Sequence, residues 1–433
     1  MNSTDLYFSD AFLKNQIHLL RLTSGEQAKV DALFRAMVPE LKNKLNNGLT
    51  DFSKRRVNAV LKQTEEVIDR YYGMMAPAKK AVEYTTELRT ILLKELKLNA
   101  DGLATAQATF LWEKNPIISK AAVDVTINAD GSMELMNGYH RYVAAKRAGV
   151  TEIQAKVRTY TKTTPQAIDY AGLARAEADF TAKTFASIGL EASLPSEATL
   201  KALVNGSLIE GHTISKYWDA QTDRMKFLFT GQVRQGVAQG ETVPQIVRRI
   251  VGSKKLGIPG IMDKSRREAF TLVHTSIQQI SNDSRLAVFK ENSDVVKGMR
   301  QLSTMDSHTS DICLAYSGAE WDINGVPING NTLPFNGGTP RHWGCRSCIV
   351  PITLSFRELG IDAPEPKGTR ASDEGQIPAS TTMTDFLKDK PKAYVDDLLG
   401  PGRSKLFLDG KLTLPELLNF SGNPLTLGQL KGK

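Results

Sequence analysis

The chain has 433 residues, 41% of them hydrophobic, and its 55 Lys and Arg against 47 Asp and Glu leave a net charge of +8. Such a length suits about two to four folded units. The apolar content excludes a disordered chain, and the longest apolar runs are far too short to cross a bilayer. Three cysteines cannot staple a disulfide framework. The mild basic excess suits work near nucleic acid without demanding it. Met1 to Asp10 carries no basic region followed by an apolar stretch. The expectation is therefore a protein made and used in a reducing cytoplasm, or in a particle assembled there.

Residues 1–85 read as helices. Ser24 and Gln27 have capping-box spacing, and Val30, Leu33, Phe34, Met37, Leu41 and Leu45 then follow a three-four rhythm, with Pro39 predicting a kink or break. Asn46-Asn47-Gly48 ends that helix. A second helix from about Asp51 carries the stripe Val57, Val60, Leu61, Val67 and Ile68, which makes a helical hairpin. Over 121–157 the period changes to two. Val123, Val125 and Ile127 alternate, Asp130-Gly131 turns the chain, Met133 and Leu135 return, Tyr139 to Ala148 forms a helix and Ile153, Ala155 and Val157 a strand.

Helices resume at Thr164-Pro165 and continue, with breaks at Leu194-Pro195 and Gly206, through Trp218 to Gly231. The next runs from Thr242-Val243-Pro244 to Gly252. A long one runs from Lys264 to Asn292, with Ala269, Leu272, Val273, Ser276, Ile280 and Leu286 inward. Residues 297–356 read as short strands and loops, and 364–382 as a polar linker. Phe386 to Leu399 and Leu414 to Phe420 close the chain as helices. The fold class is α+β: a mainly helical body, a small inserted α/β unit and a small cysteine-containing β-rich module. The boundaries fall at 1–85, 86–160, 161–295, 296–357 and 358–433.

All three cysteines lie in one segment, Cys313 followed by His342-x-x-Cys345-x-x-Cys348. Thiolate and imidazole suit a tetrahedral Zn2+, and two residues between ligands let a tight turn bring both to one ion. Cys313, His342, Cys345 and Cys348 form the ligand set, with Asp306 and His308 as alternates. Two other readings of the same residues stand beside it: small buried hydrophobes with a capping histidine, and a cysteine nucleophile with a histidine base.

The order of residues here resembles the phage Mu F-like head morphogenesis family. The chain reads TMDSHTSDIC from Thr304 to Cys313, then Gly318-Ala319-Glu320-Trp321, then His342-Trp343-Gly344-Cys345-Arg346, then Val350-Pro351. Asp306, Thr309, Cys313, His342, Cys345 and Arg346 match that family's pattern. Weaker likenesses precede it at Gln16 to Leu22, Gly240 to Thr242 and Arg266 to Arg285. Others follow it at Asp385 to Leu387, Leu398 to Pro401, Lys405 to Phe407 and Leu425 to Leu430. Cys348 stands where many members carry Thr, so its place in a ligand set comes from this chain's own spacing.

The resemblance implies a non-enzymatic minor head protein of a tailed bacteriophage. Its expected partners are the portal or the major capsid protein, and packaged double-stranded DNA, with several copies per particle. Its expected place is the virion head, at the capsid interior or portal vertex, after assembly in the host cytoplasm. No membrane span is expected.

Within 86–160, Asn137-Gly138-Tyr139-His140-Arg141 and the helix after it resemble the ParB and sulfiredoxin-like fold. That resemblance implies a phosphate site at Asn137, Gly138, His140 and Arg141 for a nucleotide such as CTP or ATP. First-turn amides and a guanidinium suit such an anion. Tyr139 stands where the reductase nucleophile would fall and cannot do that chemistry. A binding or structural module is therefore favoured over turnover. A nucleotide-dependent or nuclease-type enzyme and a DNA-binding accessory protein are the alternatives to the head protein.

Overall fold

The computed structural model describes residues 3–77, 83–97, 123–127, 133–137, 142, 145–146, 149–161, 168–253, 256–355, 358, 369–372, 375–378, 380–419 and 422–431. The chain is α+β, with long helices and small sheets.

Helix α1 runs without a break over Ser3–Gly48. The start expected at Ser24 and the break expected at Pro39 are both absent. Ser24 lies mid-helix and its hydroxyl donates to the Leu20 carbonyl, while Gln27 reaches across to the Phe270 carbonyl. The physical reason is burial. Leu19, Val30, Phe34, Met37, Leu41 and Leu45 belong to one core and hold the helix through both local signals. α2, Lys54–Met75, starts at Ser53, whose hydroxyl accepts the Arg56 amide. Its buried face contains the five residues of the expected stripe.

β1 (Glu83–Leu92), β2 (Leu96–Lys97), β3 (Val123–Ile127), β4 (Met133–Asn137) and β5 (Glu152–Thr161) form a mixed sheet in the order β1-β5-β3-β4-β2. β1 pairs antiparallel with β5, which runs parallel to β3, and β3 pairs antiparallel with β4. The alternation of Val123 and Val125 with polar residues sends both into a core with Leu135, Ile153, Ala155 and Val157. The Asp130-Gly131 turn lies outside the described residues, as does most of the expected helix after it. Tyr142, Ala145 and Lys146 are helical.

The expected start at Thr164-Pro165 also lies outside them. α3, Tyr170–Ala186, is capped by Asp169, which accepts the Gly172 amide. α4 (Glu197–Gly206), the two-residue strands β6 (Leu208–Ile209) and β7 (His212–Thr213), and α5 (Ile214–Ala238) follow. α6, Val243–Val251, has the capping box at Thr242 and Gln245 and stops at Gly252, whose φ is +74°.

α7, Ile261–Glu291, is the central helix. It buries Leu272, Val273 and Ile280 on one side and Thr275, Gln278, Asn282 and Arg285 on others. Those polar groups are paired: Gln16 donates to Gln278, and Arg285 to Glu177. An apolar core joins α1, α2, α5, α6 and α7. A second, aromatic core joins Phe8 and Phe12 of α1, Phe185 of α3 and Phe289 of α7 to the cysteine module.

That module is a three-stranded antiparallel sheet in the order β10-β8-β9, formed by β8 (Val296–Leu302), β9 (Glu320–Asp322) and β10 (Cys348–Thr353). The short helix α8, Asp311–Tyr316, lies between β8 and β9 in the chain. The stretch 364–382, expected as a linker, contains β11 (Thr369–Ser372) paired antiparallel with β12 (Gly375–Pro378). Its polar composition hid a short hairpin, of which Ile377 packs against the core of the C-terminal helices. Phe386 to Leu399 is two helices, α9 (Met383–Lys388) and α10 (Lys392–Leu399), because Pro391 precedes the second. Leu414 to Phe420 holds only a 3-10 turn at Pro415–Leu417. α11 (Pro401–Leu408) and α12 (Leu427–Lys431) complete the tail. No helix among the described residues is long and apolar enough to cross a membrane.

Candidate metal centre

The sheet of the cysteine module sets the site. β8 leads into a turn at 304–310, and Ser310 then caps α8 by accepting the Cys313 amide. This puts Cys313 in the first turn, buried beneath the loop that carries His342 and Cys345. The second loop is pinned to α7. His274 Nε2 donates to the Cys345 carbonyl at 2.9 Å, and the Gly344 amide donates to Thr275 Oγ1 at 3.2 Å. Gly344 sits at φ +75°, a conformation in which a side chain would be strained.

Two further contacts hold the loops together. Arg346 donates to both Asp306 oxygens, at 2.6 and 2.7 Å. Thr309 Oγ1 donates to the Thr304 carbonyl at 2.6 Å, closing the turn. A hydroxyl chain runs behind them, from Ser347 and Ser303 to the Cys313 carbonyl.

Cys313, His342 and Cys345 meet at the centre. The two sulfurs are 3.6 Å apart, His342 Nε2 is 3.3 Å from Cys313 Sγ, and all three ligand atoms lie within 4.8 Å of one another. A tetrahedral zinc with bonds of about 2.3 Å to sulfur and about 2.0–2.1 Å to nitrogen needs sulfurs roughly 3.8 Å apart and sulfur and nitrogen roughly 3.6 Å apart. The two distances from Cys313, 3.6 Å to the Cys345 sulfur and 3.3 Å to the His342 nitrogen, fall within a few tenths of an ångström of those values. His342 Nδ1 donates to the Trp343 carbonyl at 3.0 Å, which leaves Nε2 with its lone pair toward the sulfurs. The Ser310 hydroxyl lies 2.8 Å from Nε2 and is the nearby oxygen on the fourth side.

The charges agree with a cation site. Hydrogen bonding from Cys313, and then from His342, holds the Cys345 thiol far below its usual range despite burial. That same bond and burial push Cys313 up. Hydrogen bonding to Cys345 raises His342. One sulfur is thus already held toward thiolate, the form a metal takes. Both cysteines are almost fully buried and His342 is half-buried. Soft, closed donors of this kind suit a structural Zn2+ better than a hard cation.

One expected ligand, Cys348, and both alternates, Asp306 and His308, stand outside the group. Cys348 does not join the group. It opens β10 opposite Leu302, so sheet pairing sets its direction, and it is packed in the aromatic core. Asp306 is committed to Arg346, and the exposed His308 gives its backbone amide to Asp306. Of the expected phosphate site, Asn137 ends β4, while Gly138, His140 and Arg141 lie outside the described residues. His274 was missed by the sequence reading, because it stands beside the apolar stripe of α7 with no local motif.

Beside the centre is a cavity of about 420 Å3 between the β6–β7 hairpin, α7 and the loop 336–343, with His342 and Trp343 in its wall. Its floor includes Asp283, whose carboxyl is pushed up by burial although Ser207 and Gln279 donate to it.

No family model matches the chain, and no curated protein does. Among solved structures, the C2221 form of a Pnob8-like ParB-N domain aligns at 12% identity over 48% of this chain and 92% of that chain, with a TM-score of 0.17. A likeness at that score carries no argument about this protein.

Proposed function

We propose that the chain is a minor head protein of a tailed bacteriophage that acts in head morphogenesis. It would bind the portal or the major capsid protein, in several copies, and touch packaged double-stranded DNA through its basic excess. It would reside in the virion head, at the capsid interior or portal vertex. The observation that carries this reading is convergence. Asp306, Thr309, Cys313, His342, Cys345 and Arg346, the six residues that bear the resemblance to the Mu F-like head family, come from two distant loops and build one contiguous cluster. Chance matches to a pattern have no reason to pack together.

The cluster serves as a clasp. Zn2+ held by Cys313, His342 and Cys345 would tie a glycine-rich segment with few apolar side chains to the sheet behind it. The clasp would keep the module rigid as a docking unit within the particle. The nucleotide-enzyme and DNA-accessory alternatives gain nothing from the described residues.

The test is mass spectrometry of purified proheads and virions from cells producing the phage that encodes this chain. The chain is expected in both, at a fixed ratio to the portal. Its absence from both would overturn the reading.

A further inference from the structure

Cys313 Sγ and Cys345 Sγ lie 3.6 Å apart in direct contact, 32 positions apart in the chain. A disulfide needs about 2.05 Å, so the sulfurs must approach by roughly 1.5 Å. Cys348, only three positions after Cys345, is held in β10 by pairing with Leu302 and packs in another core. The fold therefore selects one of the three pairings that the sequence allows. Both sulfurs are buried, and an open cavity comes within one side chain of them. The cavity beside the centre is walled by His342, whose Nε2 is 3.3 Å from Cys313 Sγ.

We propose that Cys313 and Cys345 are a redox site, oxidised by a peroxide to an intramolecular disulfide, and that metal and disulfide exclude one another. The chemistry balances. One sulfur attacks a peroxide oxygen, the oxygen–oxygen bond breaks, a sulfenic acid forms and the departing oxygen leaves as water. The second sulfur then attacks the first, the sulfur–oxygen bond breaks, and the oxygen leaves as a second water with the remaining thiol proton. Two thiols lose two electrons and hydrogen peroxide becomes two waters. The same sulfur lone pairs serve the metal and the new bond, so a bound ion protects the pair. Either state links the same two loops. A clasp made with metal in a reducing compartment would persist as a covalent one in an oxidising medium.

The inference shares its residues with the proposed zinc clasp, and its test separates the two. Full-length protein is stripped with a chelator, treated with hydrogen peroxide, denatured, alkylated and mapped by peptide mass. The expected product is a Cys313–Cys345 crosslinked peptide lighter by about 2 Da than the two thiols, with Cys348 alkylated and the bond reversed by dithiothreitol. Cys348→Ser keeps the crosslink and controls for folding, whereas Cys313→Ser loses it. Zinc-loaded protein is expected to oxidise at least about tenfold more slowly, as metal protection removes the free thiolate. Three alkylatable thiols after peroxide, a bridge to Cys348, or sulfinic acid in place of the crosslink would overturn the redox site. Equal oxidation rates with and without bound zinc would overturn the exclusion. Protein that takes up no zinc yet forms the crosslink would sink the zinc clasp and leave the redox site standing.

Discussion

Two clusters of buried polar groups lie along α7, one against its middle at His274 and Thr275 and one near its C-terminal end at Arg285, and they differ in how they are closed. At one, Glu177 of α3 accepts from Arg285 at 2.9 Å and from Asn15 of α1 at 2.9 and 3.0 Å, with the Arg285 guanidinium also over the Phe12 ring. Charge meets opposite charge, and three helices are fastened by it. At the other, two thiols and an imidazole face each other, with a serine hydroxyl as the near neighbour. The nearest guanidinium groups are turned to other partners, Arg346 to Asp306 and Arg341 to Gln301 and the Phe335 carbonyl. A buried cluster that satisfies itself is a fastening. One that gathers soft donors around a common point is a seat for something else.

The comparison can be broken most sharply at the metal. Structural zinc contributes on the order of 10 kcal/mol of binding free energy at neutral pH, so its loss is the largest effect expected. Elemental analysis of purified protein should give one zinc per chain, and Cys345→Ser should give none. Equal zinc in both, or none in the wild type, removes the metal from the picture. Glu177→Ala should leave zinc content unchanged and cost about 3–5 kcal/mol in denaturant unfolding, because Arg285 is left buried without its partner. A cost near zero would mean that the helical cluster does not fasten.

The smallest effect concerns the Asp306–Arg346 pair, which bridges the two loops at the edge of the site. Asp306→Asn should cost about 1–2 kcal/mol, since the pair is partly exposed. Burial raises the Asp306 carboxyl, but the Arg346 guanidinium, the His308 amide and the Thr309 hydroxyl together outweigh it and hold the group below its usual range. A depressed folded pKa means the contribution is present above the unfolded value, near ~3.9, and is lost as pH falls through the folded one. The acid limb of the stability curve should therefore flatten in Asp306→Asn. An unchanged limb would show that the pair carries no linkage.

Much of the helical body was readable from periodicity, because burial follows it directly. The stripe of α2, the start of α6 at Thr242 and the stripe of α7, save for the half-buried Leu286, are all found in the fold. Ser24 misled because a capping box is a local pattern, and the core on both sides of it overrode the local preference. Cys313, His342 and Cys345 were readable as a group because spacing and residue chemistry agree. Cys348 fitted the spacing equally well, but a strand begins there and its neighbour across the sheet decides its direction. His274 had no signal at all, since what it does depends on a loop that is distant in sequence. The hairpin at 369–378 was hidden because Ile377 is its one large apolar side chain, too few for an alternating pattern.

A last consequence follows from α1. Its 46 residues reach about 69 Å at 1.5 Å per residue, and both large cores are threaded along it. Its first turns are buttoned to the cysteine module, because Asp5 accepts the Thr353 amide at 3.2 Å and faces Arg300 at 3.6 Å. In mechanical terms α1 is a spar with the module hung at one end. Tension applied to the module is shared between the Asp5 button and the pins that His274 and Thr275 of α7 make to its loop, so the two long helices carry the load together.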